Sequence, residues 1–169
     1  QLISNYSVNN NLGLPASALK DISDPALVHL IFSTSFSNAV TYALTANDIK
    51  DLSGNSLINI SANFSFYNPR QYDVVIDEIM ADPAPQVGLP NSEWIELRNV
   101  SPFDINLKNW KLNDLSGTSS EMPDFILQPD SLVIICSASS FSQLSAFGNT
   151  ISVGSFPSLD NNGDLLSLY

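Results

Sequence analysis

The side chains best able to do chemistry are carboxylates, and they are bunched. Asp77, Glu78 and Asp82 fall on or just after one apolar run, and Glu93 and Glu96 on the next. If those runs pair as neighbouring strands, two or three carboxylates approach the separation that a calcium ion or a glycosidase acid–base pair needs. Strand periodicity limits this. Side chains alternate across a strand, so Glu96 shares a face with Trp94 and Arg98, while Glu93 shares the other with Ile95 and Leu97. Glu93 and Glu96 therefore cannot serve one site without a bulge. That argues against a carboxylate glycosidase and ranks the readings: a structural role first, with Glu96 paired to Arg98 or tied to backbone N–H groups, then calcium, then catalysis. A second acidic stretch, Asp160-Asn-Asn-Gly-Asp164, sets Asp160, Asn162 and Asp164 at i, i+2 and i+4, like the opening of a calcium loop. Leu165 stands where that loop requires glycine, so a β-hairpin turning at Asn162-Gly163 is the simpler reading.

Other reactive groups are few. His29 is the only histidine and lies in an alternating run, so the second half of the chain offers no imidazole for a triad or a histidine metal site. Cys136 is the only cysteine, which excludes an internal disulfide. It ends the run Leu132-Val-Ile-Ile-Cys136 and reads as a buried small hydrophobe rather than a nucleophile. Trp94 and Trp110 read as core; Leu89 and Phe103, in loops, are the candidates for a contact surface. No Gly-rich phosphate loop, nucleophile elbow or zinc spacing occurs. No catalytic residue and no cofactor are assigned, and calcium is the one ion the acidic positions would take.

Charge narrows the partners. The 169 residues carry a net charge of −11. Residues 72–169 hold thirteen acids against only Arg98, Lys108 and Lys111. A phosphate backbone needs clustered Lys and Arg, so nucleic acid is not an expected partner. No run of 18 apolar residues is present, so direct membrane insertion is not expected either. Only 14% of residues are charged while 44% are hydrophobic, which leaves Ser, Asn and Thr to solvate the surface, a composition common in secreted and surface-displayed β-proteins. Gln1 is neither an initiator methionine nor part of a signal peptide, and the chain reads as a piece of something longer.

The elements that must position these residues are short strands. Apolar runs of four to eight residues, separated by Pro, Gly, Asn and Ser, predict an all-β sandwich architecture. Candidate strands lie at 5–8, 27–32, 41–44 and 61–66, the last with Ala62, Phe64 and Phe66 on one face. Pro69 breaks the pattern, since it cannot donate to a ladder and holds Asn68 extended. The expected division is a first domain at 1–67, a linker at 68–71 and a second domain at 72–169. Strands are expected there at 74–79, 94–100, 105–107, 110–113, 125–127, 132–136, 151–153 and 165–169. One helix is expected over 139–147, with serines to cap it, Phe141, Leu144 and Phe147 spaced along it and Gly148 to end it. Asp-Leu-Ser-Gly occurs at 51–54 and again at 114–117, most simply as two unrelated turns.

In the second half, Val75-Ile-Asp-Glu-Ile-Met-Ala-Asp-Pro83, Glu93-Trp-Ile-Glu-Leu-Arg-Asn99 and Ile105-Asn-Leu-Lys-Asn-Trp-Lys-Leu112 closely resemble the bacterial lamin-tail family. Pro129-Asp-Ser-Leu-Val-Ile-Ile135 and Ser158-Leu-Asp-Asn-Asn-Gly-Asp-Leu-Leu166 follow in the expected order. The resemblance implies an immunoglobulin-like sandwich serving as an accessory module of secreted or surface proteins. That family usually carries Asn at the position of Asp77 and a further strand after the position of Tyr169, which implies a second domain one strand short. More weakly, Asn5-Tyr-Ser-Val8, Val28–Ile31 with Phe32, Tyr42-Ala-Leu-Thr45 and Asp48-Ile-Lys-Asp-Leu-Ser-Gly-Asn55 resemble a bacterial Ig-like domain of the surface-layer and adhesin type, N-terminally incomplete here. The expected fold is two immunoglobulin-like β-sandwiches in tandem with one short helix in the second. The expected function is a non-catalytic structural or binding module of a larger secreted or bacterial cell-surface protein: a spacer, adhesion or positioning domain. Its partner would be a protein or glycan ligand at the cell surface, or a neighbouring domain of the same polypeptide. The alternative is a calcium-dependent glycan- or protein-binding module using the acidic cluster of the second domain.

Overall fold

A computed structural model describes residues 2–51, 53–163 and 165–169. The chain divides into two compact units, one ending at Asn68 and the other beginning at Pro69. The short polar stretch at the division is tied down on both sides. The Asn68 N–H donates to Asn38 Oδ1 at 2.6 Å in the first unit. The Arg70 N–H donates to the Asp73 carboxylate at 2.5 Å in the second.

The first unit contains β1 (Tyr6–Val8), β2 (Ser17–Lys20), β3 (Val28–Ile31), β4 (Val40–Ala46), β5 (Ile49–Lys50), β6 (Ser56–Leu57) and β7 (Ile60–Phe66). β4 is the centre of an antiparallel sheet in the order β1-β4-β7, while β2–β3 and β5–β6 form separate two-stranded ribbons. Tyr42 lies opposite Phe64, and the expected Phe64/Phe66 face gathers around Phe36, with ring centroids 5.1–5.9 Å from Phe36 to Tyr42, Phe64, Phe66 and Phe32. Aromatic clustering compensates for β7 being an edge strand, in which Phe64 and Phe66 stay 36% and 40% exposed. β2, β5 and β6 were not expected from the sequence: Ser17-Ala-Leu-Lys20 does not alternate, and two residues are too few to show a period. The β5–β6 ribbon flanks the first Asp-Leu-Ser-Gly turn, where Asp51 Oδ1 accepts from the Ser53 and Asn55 N–H groups.

The second unit contains β8 (Val74–Met80), β9 (Trp94–Asn99), β10 (Ile105–Asn106), β11 (Leu112–Asn113), β12 (Ile126–Leu127), β13 (Leu132–Ser137), α1 (Phe141–Leu144), β14 (Thr150–Val153) and β15 (Ser167–Leu168). Its main sheet runs β14-β13-β9-β8, and β10–β12 and β11–β15 form two ribbons. β8, β9 and β13 are antiparallel neighbours; β14 joins β13 in parallel after the crossover through α1.

β13 explains the two-sided core. Val133, Ile134, Ile135 and Cys136 are all buried, as a central strand covered on both faces requires. On one face Ile135 pairs with Ile95 and Ile151, and Val133 with Leu97, all at 3% exposure or less. The ribbons contribute the other fully buried apolar side chains, Ile105, Leu107, Leu112 and Leu127, with Met122 from the loop before β12. The reverse face carries a smaller cluster of Trp94, Ile134, Cys136 and Leu144, with Met80 and Leu89 partly buried against it. Each fully buried aliphatic side chain contributes about 1.5–3 kcal/mol, so both faces matter to stability.

Two expectations fail. The helix over 139–147 shrinks to one turn. The Ser140 side chain makes no capping bond; instead the hydroxyls of Ser137, Ser139 and Ser140 bond to one another at 2.9–3.0 Å. Of the three spaced apolar residues only Leu144 is buried, while Phe141 and Phe147 are 41% and 53% exposed. The hairpin at Asn162-Gly163 is also absent. β14 pairs with β13 and β15 pairs with β11, so the strands flanking that turn belong to different sheets. Asn-Gly fixes a local reversal and cannot dictate which edge the next strand finds.

Candidate functional site

The alternation of β9 holds. Ile95, Leu97 and Asn99 are buried towards the main core, and Glu96 and Arg98 lie with Trp94 on the reverse face. β8 pairs with this strand through a register shift between Ile76 and Glu78, with Asp77 unpaired between them. Glu78 therefore stands opposite Glu96, and Asp77 comes within 3.9 Å of the Arg98 guanidinium. Burial, then the charges of Glu78 and Asp77, raise the Glu96 carboxyl above its ordinary pKa. Arg98 bonds to Asp130 through Nε at 3.1 Å and Nη2 at 2.5 Å. The expected Glu96–Arg98 pairing is thus replaced by Arg98 bridging Asp77 and Asp130.

Glu93, on the opposite side of the strand, belongs to a different group. Its Oε2 accepts from the Leu159 N–H at 3.1 Å. It lines a pocket of about 580 Å³ with Asp114, Ser116, Asp160 and Asn162. Asp114 and Asp160 are each engaged with their own loop. Asp114, 5% exposed, accepts from Ser116 N–H, Ser116 Oγ and Gly117 N–H at 2.7–2.8 Å. Burial pushes its pKa up, but those bonds outweigh it and hold the carboxyl below its ordinary value. Asp160 Oδ1 accepts from the Asn162 N–H at 2.9 Å.

The calcium candidates thus separate. Asp77, Glu78 and Glu96 share the reverse sheet face; Glu93, Asp160 and Asn162 share the pocket. Asp82 is exposed in the Pro-rich loop, where it accepts from the Ala84 N–H, and Asp164 lies outside the described residues. Among the described residues no group of three or more His, Cys, Asp or Glu side chains is set to hold a metal ion. Of the contact-surface candidates, Leu89 is partly buried against the Trp94 cluster and Phe103 is half-buried. His29 is exposed on β3, 2.7 Å from the Asp21 carboxylate. Trp94 is core, with its indole N–H unpartnered among the described residues; Trp110 is only half-buried. Cys136 is fully buried, which pushes its thiol up to about 11.

The residue that sequence reasoning passed over is Asn99. It is fully buried at the end of β9. Its amide donates to the carbonyls of Phe103 (2.7 Å) and Leu127 (2.8 Å). Its Oδ1 accepts from Ser101 N–H (2.9 Å) and Ser101 Oγ (2.8 Å). All four bonding capacities of the side chain are used. The family model for the Lamin Tail Domain matches residues 68–169, beginning one residue before the second unit. The chain belongs to the lamin tail domain family. No curated protein and no solved structure matches it. In the lamin-tail unit the geometry is that of an all-β immunoglobulin-like domain in which Asn99, Ser101, Asp114 and Ser119 are bonded to its own backbone. Lamin-tail membership accounts for the sandwich, and the Asn99 knot is one of its fastenings.

Proposed function

We propose that this chain is a non-catalytic spacer, adhesion or positioning module of a larger secreted or bacterial cell-surface protein, with an Ig-like domain preceding its lamin-tail domain. One observation carries the reading. Among the described residues, four of the five buried polar side chains of the lamin-tail unit, Asn99, Ser101, Asp114 and Ser119, hydrogen-bond to nearby backbone, and the fifth, Ser140, bonds to the Ser137 hydroxyl. Buried polar groups at an active site are held ready for a substrate; these are spent on loops and strand ends. The acidic, cation-poor surface supports a protein or glycan partner, or a neighbouring domain, over nucleic acid.

The carboxylates paired across β8 and β9 provide the test, because Glu96, with its raised pKa, stands opposite Glu78 as an acid–base couple would. Purified chain incubated with chromogenic glycosides and phosphodiesters is expected to give only the uncatalysed rate. Turnover that disappears in Glu96→Gln and Glu78→Gln would sink the non-catalytic reading.

A further inference from the structure

On the side of the lamin-tail unit where β8 and β15 approach, a groove of about 570 Å³ carries Arg70, Tyr72, Trp110 and Tyr169. Its volume lies within the range of about 300–1,000 Å³ usual for small-ligand sites. Three features set it apart from ordinary surface. Its rings are open to solvent: Tyr72 is 73% exposed, Tyr169 60%, and Trp110 is half-buried. None of the three stacks on another aromatic ring among the described residues, and Tyr169 is held by its hydroxyl bonding to Thr118 at 3.3 Å. Second, Tyr72 has φ of +74°, a left-handed backbone unfavourable for an aromatic residue. The Arg70–Asp73 turn, closed by Asp73 N–H to the Arg70 carbonyl at 3.1 Å, holds it there.

The third feature is charge. Arg98, Lys108 and Lys111 are each paired with a carboxylate, whereas Arg70 makes no ion pair among the described residues. Among the described residues it is the only charged side chain lining the groove. A planar guanidinium beside aromatic faces suits a ligand that presents both a carboxylate and flat apolar ring faces. Among the described residues of this unit, Arg70 is thus the basic side chain left without an ion pair.

We propose that this groove binds a short uronate-containing oligosaccharide, whose pyranose faces stack on Tyr72, Trp110 and Tyr169 while one carboxylate pairs with Arg70, a single local contact that does not need the clustered cations a phosphate backbone requires. An extended peptide fits less well. Only Val74, Val75 and Ile76 of β8 border the groove before the Asp77 irregularity, and β15 is two residues long, too little edge for an added strand. The inference deepens the adhesion reading and rests on it, but it uses neither the acidic pocket nor calcium.

The test is titration of the full chain with trigalacturonate and with maltotriose, in chelator at 0.15 M salt, read by tryptophan fluorescence and calorimetry. Trp110 lines the groove and Trp94 is buried away from solvent, so the fluorescence change reports on Trp110. Saturable binding of trigalacturonate is expected, weakened about tenfold or more by Arg70→Gln and by Tyr72→Ala, and unaffected by Lys108→Gln. Maltotriose should bind at least about tenfold more weakly. No saturable signal, or equal losses in Arg70→Gln and Lys108→Gln, would overturn the proposal. So would Arg70-dependent binding of an acidic peptide without binding of the sugar. Hydrolysis of the bound sugar would instead contradict the non-catalytic reading and leave the groove standing.

Discussion

The Asn99 side-chain amide donates to the Leu127 carbonyl at 2.8 Å, fastening the end of β9 to β12 in the neighbouring ribbon. The same side chain holds Phe103 and Ser101, so one buried amide organises the loop that carries the chain from the main sheet into the second layer. Removing it strands several buried donors and acceptors at once, each costing about 1–3 kcal/mol when left unpaired. Asn99→Ala is expected to lower stability by about 3 kcal/mol or more in urea unfolding. Asn99→Asp should be worse despite its shape, because it turns a donor pair into an anion facing two carbonyls. Equal stability of the wild type and Asn99→Asp at neutral pH would refute this account of the knot.

Glu96 makes a prediction with a definite sign. Its folded pKa is raised by burial and by Glu78 and Asp77. A raised carboxyl favours folding while it is protonated and loses that contribution as pH climbs through the folded pKa. Glu96→Gln should therefore be more stable than wild type at pH 7, by less than about 1 kcal/mol given its partial exposure. The difference should fade as pH falls below the ordinary carboxylate range. Urea midpoints of the two proteins at pH 7 and pH 3 check it.

Cys136 is fully buried with its thiol pushed up to about 11. It should react with a thiol reagent only at the rate of unfolding, and reaction at the rate of a free thiol would contradict its placement. The raised pKa also ties stability to alkali: the contribution is whole below pH 9, near the thiol's ordinary value, and is lost as pH rises towards 11. Cys136→Ala should lack that alkaline loss while losing some packing at every pH.

Leu144 separates the two cores. It is the one buried side chain of α1 and joins Trp94, Ile134 and Cys136. Leu144→Ala should cost about 2–5 kcal/mol, with a red shift of Trp94 emission as water reaches the indole. A shift comparable to that of a surface substitution would mean that the reverse face is not a core.

Much of this was legible in the sequence because strands announce themselves by alternation. Residues 95–98 alternate apolar and charged, and the faces follow directly. Residues 132–136 do not alternate, and their unbroken apolar run marks a strand buried on both sides. What could not be read was long-range choice. Nothing local at Asn162-Gly163 says that β14 joins β13 in parallel while β15 crosses to β11. The same limit governed the carboxylates: the irregularity at Asp77 is a property of the β8–β9 pair, and it decides that Glu78 meets Glu96 while Glu93 reaches Leu159. The groove was hidden for the reverse reason. Trp110 lies between Leu107 and Leu112 and reads as core, yet just before β11 it is left half open.

The central claim, that the acidic groups of the lamin-tail unit serve its own structure, is tested most directly by thermal unfolding in millimolar calcium and in excess chelator. A ion that binds only the native state must raise its stability. The account predicts superimposed unfolding curves. A midpoint several degrees higher in calcium, abolished by Glu93→Gln or Glu96→Gln, would contradict it and make the module a calcium-dependent binder.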